Sequence, residues 1–260
     1  VPSLESLQLP PVIETFCDYH QGMVLVTGST GTGKSTTLAA MINHLNQTRE
    51  LNIISLEDPI EFVHESKRSQ VVQRELNTHI PDIASGVRAA MRQDPDVILV
   101  GEMRDMETIS MAMTAAETGH LVLGTLHTTG AVKTIDRGID ALPGELREQT
   151  KSFLAQSLKA VVTQVLVKTP GGQGRRAMHE ILVNTKAVSN LILSDQTHQI
   201  NAQLQTGGDV GMQTLDMALL KAVTNGEIDP DDAFRYATDK RLFVRHVTDT
   251  SVLPKLDKLG

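Results

Sequence analysis

The sequence predicts an α/β fold: a largely parallel sheet covered by helices on both faces, with a small helical subdomain after it. Three observations carry that prediction. Short apolar, β-branched runs alternate with segments of helical spacing from about residue 23 to about residue 184. The first run leads straight into a glycine-rich turn and then a helix. After about residue 185 the strand-like runs stop and only short helical segments follow.

Residues 1–11, VPSLESLQLPP, precede a core expected over 12–184. Its strands are read at MVLVT (23–27), NIISL (52–56), VILVG (97–101) and LVLGT (121–125). Such continuous apolar runs suit strands buried on both faces of a parallel sheet. Helices are expected from Lys34 through Leu45, over about 82–93 behind an Asp82 cap, and over METISMAMTAAE behind an Asp105 cap. The run VVTQVLVK, the turn TPGGQG and the run RRAMHEILV predict a closing antiparallel hairpin. Over 185–247, AVSNLIL, HQINAQLQ, MQTLDMALLKAV and PDDAFRYA read as short helices, broken by GGDVG and NGEIDP. The polar stretch 248–260, TDTSVLPKLDKLG, is expected to be loosely held.

Composition narrows the function classes. The net charge is −7 and only 3% of residues are aromatic, which argues against a basic nucleic-acid surface and against base-stacking platforms. The basic clusters Lys67-Arg68, Arg175-Arg176 and Lys240-Arg241 are short and read as solvated faces. A single cysteine, Cys17, excludes an internal disulfide and a four-thiolate zinc site. Its neighbours Phe16 and Tyr19 suggest a buried, inert thiol in a reducing compartment. No apolar run approaches the roughly 20 residues of a membrane span, and the chain does not open on a signal peptide, so a cytoplasmic protein is expected.

The strongest local signal is GSTGTGKST, 28–36, which fits G-x-x-x-x-G-K-[ST] between a strand and a helix. Glycines there let successive backbone N–H groups wrap an anion, and the following helix turns its positive end to the same charge. Ser29, Thr30, Gly31, Thr32, Gly33, Lys34, Ser35 and Thr36 form the candidate phosphate-binding set. Lys34 would reach the β- and γ-phosphates of a nucleoside triphosphate, and Ser35 would offer its hydroxyl to Mg²⁺.

The strand VILV runs through Gly101 into a carboxylate, Glu102. Ligands of open α/β sheets lie beyond the carboxyl ends of the strands, so Glu102 is expected to face the Mg²⁺ shell. The other reading of Glu102 is a surface carboxylate paired with Arg104. A second acidic group, Glu57, Asp58 and Glu61, follows the strand NIISL. Like charges this close repel, and a cation relieves them; one would position or deprotonate water while the others orient the metal shell. The histidines His120 and His127 bracket the strand LVLGT without zinc spacing. Structural or solvated histidines are one reading, and a γ-phosphate sensor or a bridge to a neighbouring subunit is the other.

Four segments in this order, GSTGTGKST, SLEDPIEFVH, DPDVILVGEMRD and TGHLVLGTLHT, resemble the boxes of the type II/IV secretion and pilus ATPases, most closely the PilT-type pilus-retraction branch. The likeness runs from LPPVIETFC through GMQTLDMALL. It implies a RecA-like P-loop core working as a homohexamer with ATP and Mg²⁺ bound between subunits. It assigns Lys34 and Ser35 to phosphate and metal, Glu102 to the metal-binding Walker B segment, and Glu61 to the attacking water. His120 and His127 become the histidines that couple nucleotide state to subunit contacts. AVSNLI (187–192) is similar to a segment linked to retraction, though Ser189 and Asn190 depart from its pattern.

The family's extension ATPases carry a tetracysteine zinc insertion, which one cysteine excludes, so retraction is favoured over extension or type II secretion. The resemblance also implies a smaller preceding domain, with residues 1–11 as the end of its linker and arginines that approach ATP from it. Arg88, Arg92, Arg104 and Arg137 are candidates within this chain. The expected partner is an inner-membrane platform protein of the pilus machine, engaged peripherally, with no direct nucleic-acid contact. Rival readings are a RecA-like nucleic-acid motor and a non-hydrolysing ATP-binding accessory subunit.

Overall fold

A computed structural model describes residues 1–253; the rest of the polar stretch 248–260 lies outside the described residues. The core opens with a short helix α1 (Val12–Phe16) and strand β1 (Gly22–Thr27), followed by helix α2 (Lys34–Thr48). Strands β2 (Asn52–Glu57) and β3 (Gln70–Glu75) then lead to helix α3 (Ile83–Ala90) and strand β4 (Val97–Val100). Helix α4 (Met106–Glu117), strand β5 (Leu121–Leu126) and helices α5 (Ala131–Ile139) and α6 (Arg147–Ser157) come next. The long strands β6 (Leu158–Lys168) and β7 (Arg175–Val183) close the sheet. Helices α7 (Lys186–Leu193), α8 (Ile200–Thr206), α9 (Leu215–Thr224) and α10 (Pro230–Tyr236) follow.

The seven strands form one sheet in the order β3-β2-β4-β5-β1-β6-β7. Every pairing is parallel except the β6–β7 hairpin at the edge. Two-residue periodicity divides the strands between two cores. Met23, Leu25, Ile54, Leu56, Ile98, Val100 and Val122 face one layer, with α3 to α8. Val24, Val26, Ile53, Val97, Leu99, Leu121 and Leu123 face the other, with α1 and α2. The helices of 185–247 split likewise. Val188, Ile192, Ile200 and Leu204 of α7 and α8 join the first core. Leu219, Phe234 and Phe243 instead form a third cluster against Val167 and Met178 of the hairpin.

The caps read from the sequence are in place: Asp82 accepts from the Ser85 N–H at 2.7 Å and Asp105 from the Thr108 N–H at 2.7 Å. Thr185, Thr214 and Asp229 cap α7, α9 and α10 in the same way. Helix α5 starts at Gly130 without a side-chain cap of its own. Glu180 on β7 reaches across to accept the Ala131 N–H at 2.8 Å, and its carboxylate also faces the Leu215 N–H at the start of α9. Burial pushes this carboxyl above its usual range, and the two backbone donors oppose the rise.

Three sequence expectations change. Strand β3 and helices α5 and α6 carry no sequence assignment above; QVVQRE is a polar edge strand whose outer face meets water. Residues 248–253 are anchored, not loose: the Asp231 carboxylate accepts the Thr248 N–H at 2.8 Å, and Val252 and Leu253 pack on the third cluster. The helix read over 82–93 ends at Ala90. Cys17 is fully buried, and burial raises its thiol to about 12, so the inert-thiol reading stands. Among the described residues no helix is long and apolar enough to cross a membrane. Asp105→Ala, which removes the α4 cap, is expected to cost about 1 kcal/mol, read as a fall of roughly 2–4 °C in melting temperature.

Candidate functional site

Parallel polarity sets the site. The carboxyl ends of β1, β5, β4 and β2 emerge on one edge of the sheet in the registers Thr27↔Leu126, Val100↔Gly124 and Leu56↔Val100. The turn after β1 is the phosphate loop. It borders a cleft of about 440 Å³ lined by Lys34, Ser35, Glu57, Glu61, Glu102 and His127, among others. A second cavity of about 420 Å³ lies beside it, reached past Gly33 and Thr36 and walled by Leu7, Leu9, Leu166 and Arg176.

Two loop glycines are sterically required. Gly28 has φ +140°, and a Cβ there would run into the Gln164 carbonyl oxygen. Gly33 has φ +86° and sits so close to the Gln164 amide that a Cβ would lie 2.9 Å from Nε2. Gly31 faces open space. The N–H groups of Gly31 and Gly33 donate to nothing among the described residues, so they are free to receive an anion. Lys34 folds back over its own turn, its Nζ donating to the carbonyls of Gly28 at 2.9 Å and Ser29 at 3.0 Å. Burial pulls this ammonium below its usual range, and the carboxylates of Glu102 and Glu61 oppose the fall. Thr32 turns inward, its hydroxyl donating to the Ser29 carbonyl at 2.9 Å, while Thr30, Ser35 and Thr36 line the cleft.

Glu102 stands at the cleft and is paired with Arg104 there. Its Oε1 accepts from Arg104 Nε at 2.7 Å and from His127 Nε2 at 2.6 Å. Arg104 grips the other oxygen at 2.7 Å and reaches Asp58 at 3.5 Å. Arg104 first, then His127, holds this carboxyl below the ordinary carboxylate range against the opposing effect of burial. The loop carrying Glu102 is stitched to β5: the Thr125 hydroxyl donates to the Gly101 carbonyl, and the Met103 N–H donates to the Thr125 carbonyl at 3.1 Å.

The other acids differ in their freedom. Glu57 accepts from the Ser55 hydroxyl at 2.6 Å and from Gln73 at 3.0 Å. Glu61 is exposed at the cleft wall and accepts no hydrogen bond among the described residues, so its oxygens are available to water. Arg88 pairs with Glu107 on helix surfaces away from the cleft.

His120 is a correction. It stands at the amino end of β5, one strand length, roughly 20 Å, from the edge where the phosphate loop emerges. Its Nδ1 is bonded to the Ala115 carbonyl at 2.9 Å at the end of α4. Residues that flank a strand lie on opposite edges of the sheet, so only His127 belongs to the cleft of its own chain.

Among the described residues no three His, Cys, Asp or Glu side chains converge as a metal cage. Mg²⁺ needs none, because it keeps waters and binds through one or two protein oxygens and substrate phosphates. The Ser35 hydroxyl, uncommitted among the described residues, is a cleft oxygen that fits such an ion, while Glu102, both of whose oxygens already accept from Arg104 or His127, fits it through water. Glu57 and Asp58 are committed to protein partners and fit only an outer role.

Sequence reasoning passed over Gln164 and His179, buried under the loop on β6 and β7. Gln164 donates from Nε2 to the Thr32 carbonyl and accepts from the Thr37 hydroxyl at 2.7 Å and from His179 Nε2 at 3.1 Å. The available signal was an amide and a histidine set among apolar strand residues.

The chain is matched over residues 10–235 by the family described as type II/IV secretion system protein, and it belongs to that family. It is 55% identical over 237 residues to a twitching motility protein of Neisseria gonorrhoeae, covering 91% of this chain and 63% of that protein. It is 52% identical over 233 residues to the type IV pilus retraction ATPase PilT of Pseudomonas aeruginosa, covering 90% and 67%. The crystal structure of the pilus retraction motor PilT with bound ADP superposes with a TM-score of 0.87 at 42% identity, covering 93% of this chain and 68% of that one. The chain thus spans about two thirds of the length of the relatives it matches.

Arg104→Gln removes the largest cause of the low Glu102 titration, which is expected to move up toward the ordinary carboxylate range in NMR pH titration. In the unaltered protein the depressed carboxyl stabilises the fold above the unfolded carboxylate range. That stabilisation is lost as pH falls through the folded value. The variant's acid-unfolding midpoint should therefore lie at higher pH.

Proposed function

We propose that this chain is the ATP-hydrolysing core of a hexameric motor that powers retraction of type IV pili and hence twitching motility. The observation that carries the reading is the sharing of one cleft by Lys34, Ser35, Glu61 and Glu102 above a loop of free backbone N–H groups. Support for retraction comes from relatives at 52% and 55% identity that are a pilus retraction ATPase and a twitching motility protein. Support for a nucleotide comes from the ADP-bound relative.

In this reading the loop N–H groups take the β- and γ-phosphates, and Lys34 leaves the Gly28 and Ser29 carbonyls for phosphate oxygens. The base end extends past Thr36 into the neighbouring cavity, between Leu9, Leu166 and Arg176. Ser35 and Glu102 would hold Mg²⁺, which when bound supplies neutralising charge to the phosphates. Glu61 orients the attacking water and accepts its proton, since its oxygens are uncommitted. His127 and Arg104 hold Glu102 in place and report its engagement to the loop after β5. Arg104 acts on the site through its grip on Glu102.

Work follows from subunit packing. Loops that grip a γ-phosphate relax when it leaves, and the contacts between neighbouring subunits of a ring change with them. That motion would pass to an inner-membrane platform protein from the cytoplasmic face. Further arginines from outside this chain would complete each site.

Glu102→Gln is expected to lower steady-state ATP turnover by at least about a hundredfold while ADP affinity stays within about threefold. Unchanged turnover would remove Glu102 from the chemistry. In cells, Lys34→Ala in the full-length protein should give hyperpiliated bacteria without twitching; bald cells would instead place the motor in assembly, and normal twitching would end the proposal.

A further inference from the structure

We infer that Gln164 is a positioning residue of the phosphate loop: holding the Thr32 carbonyl beneath the turn, it aims the Gly33 N–H at the bound anion. The inference rests on the nucleotide reading above.

Gln164 is 2% exposed in the middle of β6, where the register of an apolar strand leaves no reason for an amide except a partner. Its orientation is determined by the groups around it. The Thr32 carbonyl can only accept, so the amide NH₂ must lie against it and Oε1 must face away. Oε1 in turn accepts from the Thr37 hydroxyl on the first turn of α2 and from His179 Nε2 on β7. His179 is fully desolvated, and burial pushes its pKa down to about 4, so the ring is neutral with its proton on Nε2. Every donor and acceptor in the row His179, Gln164, Thr32 therefore points the same way.

The consequence follows from peptide geometry. In a trans peptide unit the C=O and the next N–H point in opposite directions. Pinning the Thr32 carbonyl below the loop thus turns the Gly33 N–H upward, to the side where it has no protein acceptor. The same residue presses on both ends of the turn: its backbone oxygen is what a side chain at Gly28 would strike, and its amide nitrogen is what one at Gly33 would meet. Behind it, the His179 carbonyl accepts from Gln213 Nε2 at 2.8 Å, and Gln213 bridges to Ile181 just before α9. The loop's aim is therefore backed by the hairpin and by the segment that leads to the C-terminal helices.

The test measures binding of a fluorescent ADP analogue and of inorganic pyrophosphate, with steady-state hydrolysis and thermal unfolding alongside. Gln164→Leu is expected to weaken both ligands alike by about tenfold, to raise KM for ATP by a similar factor, and to leave kcat within about threefold. His179→Phe removes one donor to Oε1 and should weaken both ligands by about threefold, while His179→Gln, which keeps an N–H in reach, should restore them. Gln164→Met keeps the length and nearly the volume of the side chain but offers no donor to the Thr32 carbonyl. It should bind no better than Gln164→Leu, and it decides the matter if the leucine variant does not fold. In the unaltered protein the Gly33 amide resonance should shift on addition of pyrophosphate; a stationary resonance overturns the inference. If the unaltered protein binds both ligands and the Gln164 variants match it within about twofold, the positioning role is overturned and the nucleotide reading survives. If the unaltered protein binds neither, both fall.

Discussion

Parallel strand polarity is the constraint on which the rest of this molecule depends. Because β1, β2, β4 and β5 run the same way, their carboxyl ends share one edge, and the phosphate loop meets the loops that carry Glu57, Glu61, Glu102 and His127. The same polarity demands that both faces be covered, which explains the buried, largely apolar central strands and the alternate partition of their side chains between two cores. Site and core are thus two outcomes of one topology.

Within the cleft the charges are arranged in layers. Glu102 is bound twice by Arg104 and once by His127, so its negative charge is distributed over a network and does not lie directly against Lys34. Lys34 rests on two carbonyls of its own loop. In the proposed reading, a triphosphate entering this site would exchange hydrogen bonds already made for new ones of higher charge. The gain on binding is therefore a difference between two ordered arrangements, and a preorganised cleft loses little conformational entropy in making it.

Most of the architecture was legible in the sequence because its signals are local. Strands buried on both faces announce themselves as apolar runs, and Asp82, Asp105 and the glycine–lysine turn carry their own chemistry. Strand β3 was hidden since QVVQRE is polar at the sheet edge and lacks the apolar run of the central strands. His120 was misplaced because spacing along a strand does not say which edge of the sheet a residue occupies. Gln164 and His179 were missed for a related reason. Thr32, the partner of Gln164, lies 132 positions from it along the chain, His179 reaches the loop only through Gln164, and only the pairing of β1 with β6 and of β6 with β7 brings the three together.

Glu180 ties two helix starts to one oxygen pair. Its carboxylate serves α5, which begins just beyond His127, and α9, which opens the C-terminal cluster. A half-buried carboxylate shared between two positive helix ends cannot serve both when the ends part, so separating them would leave one helix start without its acceptor. The junction therefore behaves as a rivet: the segment after the histidine and the C-terminal helix travel together, or the carboxyl takes up a proton as they come apart.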